Sequence, residues 1–146
     1  MHISVGSDHR GFKVKAKIIE LLEQLGHSTS DVGTNDAGSV DYPDIASSVS
    51  QSVSEGASDR GILICGTGIG MAIAANKHKG VRAATCHDTV TAEMSRRHNN
   101  LNVLCLSADL FGERSVEPLL STWLETEFEG GRHERRLNKI ADTETN

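Results

Sequence analysis

The chain predicts an α/β fold, a Rossmann-like three-layer domain with a five-stranded parallel sheet. Three observations predict it. Strand-like and helical patterns alternate along the chain, the middle strands are continuously apolar and so read as buried on both faces, and polar or glycine-rich turns separate the segments. At 146 residues the chain reads as one domain, 1–146, long enough to bury a substantial core.

Met1 to Gly6 carries Ile3 and Val5 and forms the first strand. Val14, Ile18, Leu21, Leu22 and Leu25 then recur at helical spacing until Gly26 stops them. Ser28 to Val32 is the second strand, and the loop from Gly33 to Pro43 is rich in Gly, Asp, Asn and Ser. Ile45, Val49 and Val53, at four-residue steps, make Asp44 to Glu55 a helix. Gly61 to Cys65 is the third strand, and a glycine loop leads from it into a helical stretch, Met71 to Lys77. Val81 to Cys86 and Asn102 to Leu106 are the last two strands, flanking a helix over Thr89 to Arg97. Glu113 to Glu127 is expected to be the longest late helix and Glu134 to Ile140 a shorter one. The polar tail from Asp142 to Asn146 is expected to fray.

Composition narrows the function classes. A net charge of −5 and only 3% aromatic residues oppose a nucleic-acid surface built from basic stripes and stacking rings. The three cysteines, 65, 86 and 105, are odd in number, form no C-x-x-C and lie in or close apolar runs. That favours reduced thiols and a cytoplasmic location. No basic segment precedes an apolar N-terminal stretch, and no apolar segment is long enough to span a bilayer, so neither secretion nor a membrane is expected.

In parallel sheets, ligands bind beyond the carboxyl ends of the strands. Asp8-His9, Cys65 to Gly70 and His87-Asp88 all fall there. Cys65 is the most informative: Ile62-Leu63-Ile64 runs into it, and Gly66-Thr67-Gly68-Ile69-Gly70 follows and opens a helix. A cysteine ending a buried strand also serves as a small apolar residue. The loop argues for more, because glycines let backbone N–H groups crowd toward a ligand at a helix N-terminus, where a thiolate is favoured. Such a thiolate can take a proton or attack a carbon. The loop resembles a dinucleotide fingerprint, with Asp88 roughly 20 residues on as a ribose-binding acid would be. The third glycine comes one residue early for that motif, however, and too little chain remains for two mononucleotide halves and a substrate domain.

Asp8 either caps the first helix or faces the ligand, and His9 is either a surface residue or a contact to a sugar hydroxyl or phosphate. Arg96 and Arg97 end a helix, where arginines complement the dipole without further purpose, and that reading is preferred. His98 beside them can move a proton on or off a sugar oxygen near neutral pH. Arg132 and Arg136, four apart, share a helix face and can grip a phosphate, or they are solvated with Glu134 as counter-charge. No metal is expected, since His87-Asp88 and His98 lack both the H-E-x-x-H pairing and paired cysteines. Ser7 lacks the G-x-S-x-G elbow of a serine hydrolase.

Taken in series, Gly6-Ser7-Asp8-His9, Asp41-Tyr42-Pro43, Gly61 to Gly70, Ser95-Arg96-Arg97-His98-Asn99 and Gly130-Gly131-Arg132-His133 resemble the ribose-5-phosphate isomerase B family, over nearly the whole chain. That family, RpiB/LacA/LacB, also contains galactose-6-phosphate and allose-6-phosphate isomerases. The resemblance implies a cofactor-free aldose–ketose isomerase acting through a cis-enediolate in carbohydrate metabolism and the pentose phosphate pathway, with ribose 5-phosphate and ribulose 5-phosphate as the first-choice pair. It implies a homodimer or dimer of dimers whose active site is shared between subunits. Cys65 would be the base, and Thr67 with the amides of Gly66 to Gly70 would steady the oxyanion. His98, from the partner subunit, would open the furanose ring, assisted by Asp8. Tyr42 and Asn99 would contact the sugar; His9, Arg132 and Arg136 would hold the phosphate. A non-catalytic sugar-phosphate-binding module is the rival from another class. One departure stands out: where family members carry an arginine near the end of the fifth strand, this chain reads Ser107-Ala108-Asp109-Leu110. The phosphate site is therefore expected to be weaker or rearranged.

Overall fold

The computed structural model describes residues 1–145. Five strands, β1 (His2–Ser7), β2 (Ser28–Gly33), β3 (Arg60–Cys65), β4 (Ala83–Thr85) and β5 (Val103–Ser107), form one sheet in the order β2-β1-β3-β5-β4. Every pairing is parallel. The helices are α1 (Phe12–Gln24), α2 (Tyr42–Ser54), α3 (Ile69–Ala75), α4 (Thr89–Asn99), α5 (Ala108–Phe111), α6 (Glu117–Glu125) and α7 (Arg132–Ala141).

Strand alternation sorts side chains onto two cores. Ile3, Val5, Ile62, Ile64, Leu104 and Leu106 point to one face, against Val14, Ile18 and Leu22 of α1, Ala92 of α4 and Leu120 and Trp123 of α6. Leu63, Cys65, Val103 and Cys105 point to the other, against Ala46 and Val49 of α2 and Met71 and Ala75 of α3. Because β3 and β5 are buried on both faces, they lack the polar alternation of half-exposed strands. β1 leads leftward to β2 and β3 leads rightward toward β4 and β5, so strand order reverses between β1 and β3. Crevices at such a reversal are the ligand sites of open parallel sheets.

Lys15 of α1 is buried at 1% exposure. Its ammonium reaches β2, bonding the Asp31 carboxylate and, at 2.8 Å, the Asn35 side-chain oxygen. Burial of a charge is tolerated because both bonds are made.

Beyond shifts of one or two residues at element ends, four features depart from expectation. β4 has three residues rather than six, because the Arg82 amide donates to the Asn102 side chain (2.7 Å) instead of a ladder. The predicted long helix from Glu113 to Glu127 is only α6, nine residues, and α7 with ten is longer. α5, a single turn capped by the Ser107 hydroxyl, was not expected. The tail does not fray: Asp142–Thr145 form a 3-10 turn, and the Glu144 carboxylate accepts from the Gly80 amide at 3.1 and 3.0 Å. Asn146, the tail's last residue, lies outside the described residues.

Candidate active site

β3 ends at Cys65, whose side chain is 6% exposed on the α2–α3 face. Its Sγ accepts a hydrogen bond from the Gly68 amide at 3.1 Å. Gly68 makes this contact from φ +81, a left-handed conformation that glycine adopts without steric cost. The Thr67 hydroxyl accepts from the Ile69 amide at 3.2 Å, so its own proton remains to donate outward, and the residue is exposed. Of the five loop amides expected to cradle an oxyanion, those of Gly68 and Ile69 are thus engaged within the loop. The amides of Gly66, Thr67 and Gly70 make no hydrogen bond among the described residues. The Gly66 carbonyl accepts from the Ser107 hydroxyl (2.8 Å) and the Asp109 amide (3.2 Å), which ties the loop to the end of β5.

A cleft of about 450 Å³ opens over this loop, lined by Asp8, Arg10, Tyr42, Cys65, Gly66, Thr67, Ile69, Gly70 and Ile73. Asp8 does not cap α1, whose N-cap is Gly11 without a side-chain bond. Its carboxylate accepts instead from the Arg10 amide at 2.9 Å, a tight local turn that keeps it in the cleft. Tyr42 lies against Gly70, where a built Cβ would meet the ring at 2.6 to 2.9 Å. His9 is half-buried, and its Nδ1 accepts from the Val40 amide at 3.3 Å.

Arg10 was not singled out by sequence reasoning, yet it covers the loop. A Cβ on Gly66 would lie 2.7 Å from its Nη1 and 2.9 Å from its Cζ. Its Nη2 donates to both carboxylate oxygens of Asp109 at 2.7 and 2.9 Å. The residue that departs from the family pattern is therefore neutralised by a cation on the neighbouring loop.

His98, Asn99, Arg132 and Arg136 do not line this cleft within one chain. Asn99 lines a different one, with Val81, Leu137 and Ile140. His98 stacks on His133, ring centroids 4.2 Å apart and 11° from parallel. Glu129 faces both rings, 4.0 Å from His98 Nε2 and 3.4 Å from His133 Nε2. Burial, then the His98 ring and Arg132, push the His133 imidazole below its ordinary value, and hydrogen bonding from Arg97 pushes the Glu129 carboxyl down. Arg132 and Arg136 are exposed and make no ion pair among the described residues.

Arg96 and Arg97 lie in the last turn of α4 and make contacts beyond it. Arg96 is buried and donates to the carbonyls of Leu101 (2.6 Å) and Thr126 (3.3 Å), with burial lowering its guanidinium to about 10. Arg97 clamps Glu129 at 2.6 Å and pairs with Glu93 at 3.0 Å. Arg96 ties the end of α4 to the segments that follow α4 and α6, and Arg97 fixes the Glu129 that faces His98. Asp88 caps α4, accepting from the Thr91 amide at 2.7 Å in a reciprocal capping box, which removes it as a ribose ligand.

His98, Glu129 and His133 are the residues best grouped for a metal, their ligand atoms within 4.8 Å of one another. This grouping differs from the His87-Asp88 candidate. Its rings are near-parallel, so their in-plane lone pairs do not converge on one ion at the roughly 2.0–2.1 Å that zinc requires. Glu129 is also already held by Arg97. The other two cysteines are unsuited to chemistry, since burial pushes the Cys86 and Cys105 thiols up.

A thiol on the floor of a cleft at the reversal of a doubly wound parallel sheet, with a carboxylate and a hydroxyl beside it, defines a small-molecule site of the α/β enzyme class. The ribose/galactose isomerase family matches residues 3–140. A solved structure of Clostridium thermocellum ribose-5-phosphate isomerase B superposes with TM-score 0.96 at 46% identity, covering 99% of this chain and 98% of that one. Escherichia coli ribose-5-phosphate isomerase B is 42% identical over 97% of this chain and 95% of its own. D-erythrulose-4-phosphate isomerase of Pectobacterium atrosepticum is 39% identical over 96% and 93%. The chain belongs to the ribose/galactose isomerase family of sugar phosphate isomerases.

Proposed function

We propose that this protein interconverts ribose 5-phosphate and ribulose 5-phosphate through an enediolate, with Cys65 as the base. The observation that carries the reading is the Cys65 Sγ, held by the Gly68 amide at 3.1 Å within a cleft that also presents Asp8, Tyr42 and Thr67. The thiolate takes the C2 proton of the open-chain aldose, and the electron pair forms the C1–C2 double bond as charge moves onto O1. Thr67 and the Gly66, Thr67 and Gly70 amides steady that oxygen. The thiol then returns the proton to C1 while the O2 hydroxyl proton passes to O1, leaving the ketose. A positioned base contributes about 10²–10⁴-fold, and one oxyanion donor about 10²–10³-fold.

The rest of the site comes from a second subunit in this reading. His98 opens the furanose ring with Asp8, Asn99 contacts the sugar, and Arg132 and Arg136 join His9 at the phosphate. Two facts support the sharing: these residues carry chemistry but do not reach their own chain's cleft, and Ile69 and Ile73 beside that cleft are 57% and 61% exposed. An apolar rim of that kind favours burial against a partner.

The test is a panel of ribose 5-phosphate, allose 6-phosphate, galactose 6-phosphate and erythrulose 4-phosphate, assayed with chelator for aldose–ketose conversion. Highest kcat/KM on ribose 5-phosphate supports the reading. Preference for a hexose phosphate or the four-carbon sugar moves the substrate, and no turnover with any sugar leaves only a binding module.

A further inference from the structure

Resting on that reading, we propose that Arg10 binds the anionic group of the substrate, with Asp109 as the residue that positions it. Among the described residues, Arg10 is the one cationic side chain lining the Cys65 cleft, which otherwise carries the Asp8 carboxylate. Within one chain, Arg10 is the side chain that opposes the Asp8 carboxylate toward an anionic sugar, and it adds to the cations that a second subunit brings.

The geometry presents the guanidinium for that purpose. Arg10 follows β1 and Asp109 follows β5, and β3 lies between those strands, so their ion pair crosses above the end of β3. The guanidinium rests on Gly66, where a built Cβ would meet Nη1 at 2.7 Å, Cζ at 2.9 Å and Nε at 3.2 Å. Any side chain at position 66 would displace it. Asp109 engages Nη2 alone. Nε and Nη1 bond nothing among the described residues, and each keeps an N–H to donate to a phosphate or carboxylate oxygen. The side chains are 56% and 53% exposed. An ion pair so exposed adds little stability, so its consequence is orientation.

The experiment measures affinity for ribose 5-phosphate and for unphosphorylated ribose by calorimetry, in wild type, Arg10→Ala, Arg10→Lys, Asp109→Ala and Asp109→Asn, with KM and kcat alongside. Arg10→Ala is expected to weaken ribose 5-phosphate binding and raise KM about 10- to 100-fold, the range for losing one charge-assisted hydrogen bond. Arg10→Lys should recover part of that loss. Asp109→Ala should raise KM several-fold at unchanged kcat, and Asp109→Asn, which keeps an acceptor, should restore it. Unphosphorylated ribose should bind equally to all five proteins.

Ribose 5-phosphate affinity in Arg10→Ala within twofold of wild type overturns the proposal, as does an equal loss for both sugars. Because calorimetry needs no turnover, a wild type that binds ribose 5-phosphate through Arg10 without isomerising it upholds this inference while sinking the catalytic one. A wild type that does not bind it at all overturns both. Arg10 is more than half exposed, so its replacement leaves the fold intact, as melting curves will verify.

Discussion

Replacing Cys65 separates chemistry from architecture, provided the replacement is chosen from the structure. Alanine removes the sulfur and also the acceptor of the Gly68 amide. Lost apolar burial costs about 1 kcal/mol, and an unsatisfied buried amide adds about 1–3 kcal/mol. Cys65→Ala is therefore expected to lose about 2–4 kcal/mol of stability and to loosen the loop it is meant to probe. Serine keeps an acceptor at nearly the same place, so Cys65→Ser should melt within about 5 °C of wild type, at roughly 2–4 °C per kcal/mol for a domain of this size. A serine hydroxyl is no base at neutral pH. Its kcat on ribose 5-phosphate should fall by about 10²–10⁴, or about 2.7–5.4 kcal/mol at 1.36 per decade. Binding of the sugar phosphate should stay within about threefold. Steady-state kinetics, calorimetry and melting on the same preparations give all three numbers. A kcat within tenfold of wild type rejects Cys65 as the base, and a parallel collapse of binding and Tm assigns the thiol to architecture.

Four further outcomes follow from named contacts. His98→Asn should lose more activity on cyclic ribose 5-phosphate than on substrate trapped in open-chain form, whereas equal losses would remove the ring-opening role. His133 sits among His98, Glu129, Arg132 and Arg136, and its burial lowers its protonation in the fold relative to the unfolded chain. The unfolded state therefore binds that proton more readily, so stability is whole above about pH 6.5 and drains as pH falls through the folded value. His133→Gln should flatten the pH dependence of the urea midpoint between neutrality and pH 5, and superimposable slopes would contradict the assignment. Asp88→Ala should cost about 1 kcal/mol through the lost α4 cap, read as a lower urea midpoint with unchanged kcat. Finally, chelator should leave the turnover rate unchanged, and strong inhibition reversed by a divalent metal would point to a hydride-shift mechanism.

What was legible in the sequence divides along a physical line. β3 and β5 were readable because burial on both faces demands uninterrupted apolar residues, and Cys65 was readable because it sits where such a run meets glycines. α6 was overread because Glu113 and Arg114 continue the composition of a helix without its contacts, while the chain turns there under α5. The burial of Arg96 was not legible because helix-end rules are local. Its guanidinium is consumed by Leu101 and by Thr126, 30 residues away. Glu129 and His133, which frame His98, stood four apart but with Gly130-Gly131 between them, so no helical periodicity linked them. The Arg10–Asp109 pair joins residues 99 apart, and only the adjacency of β1, β3 and β5 brings them together.

The glycine loop shows why a motif underdetermines a mechanism. As sequence, Gly66-x-Gly68-x-Gly70 signals bare amides for an anion, and that was the role expected of all three. In the fold each glycine answers a different demand. Gly68 needs its left-handed φ to turn its amide onto the sulfur. Gly66 is bare because the Arg10 guanidinium lies on it, and Gly70 because the Tyr42 ring does. Two of the three therefore make room for side chains that flank Cys65, one cationic and one aromatic. The loop builds a walled thiol as much as an amide cradle, and the walls come from the loop after β1 and from the start of α2, segments distant in sequence from the glycines. Specificity for the sugar phosphate should accordingly follow Arg10 and Tyr42 more than the glycines, whose replacement would act by displacing them.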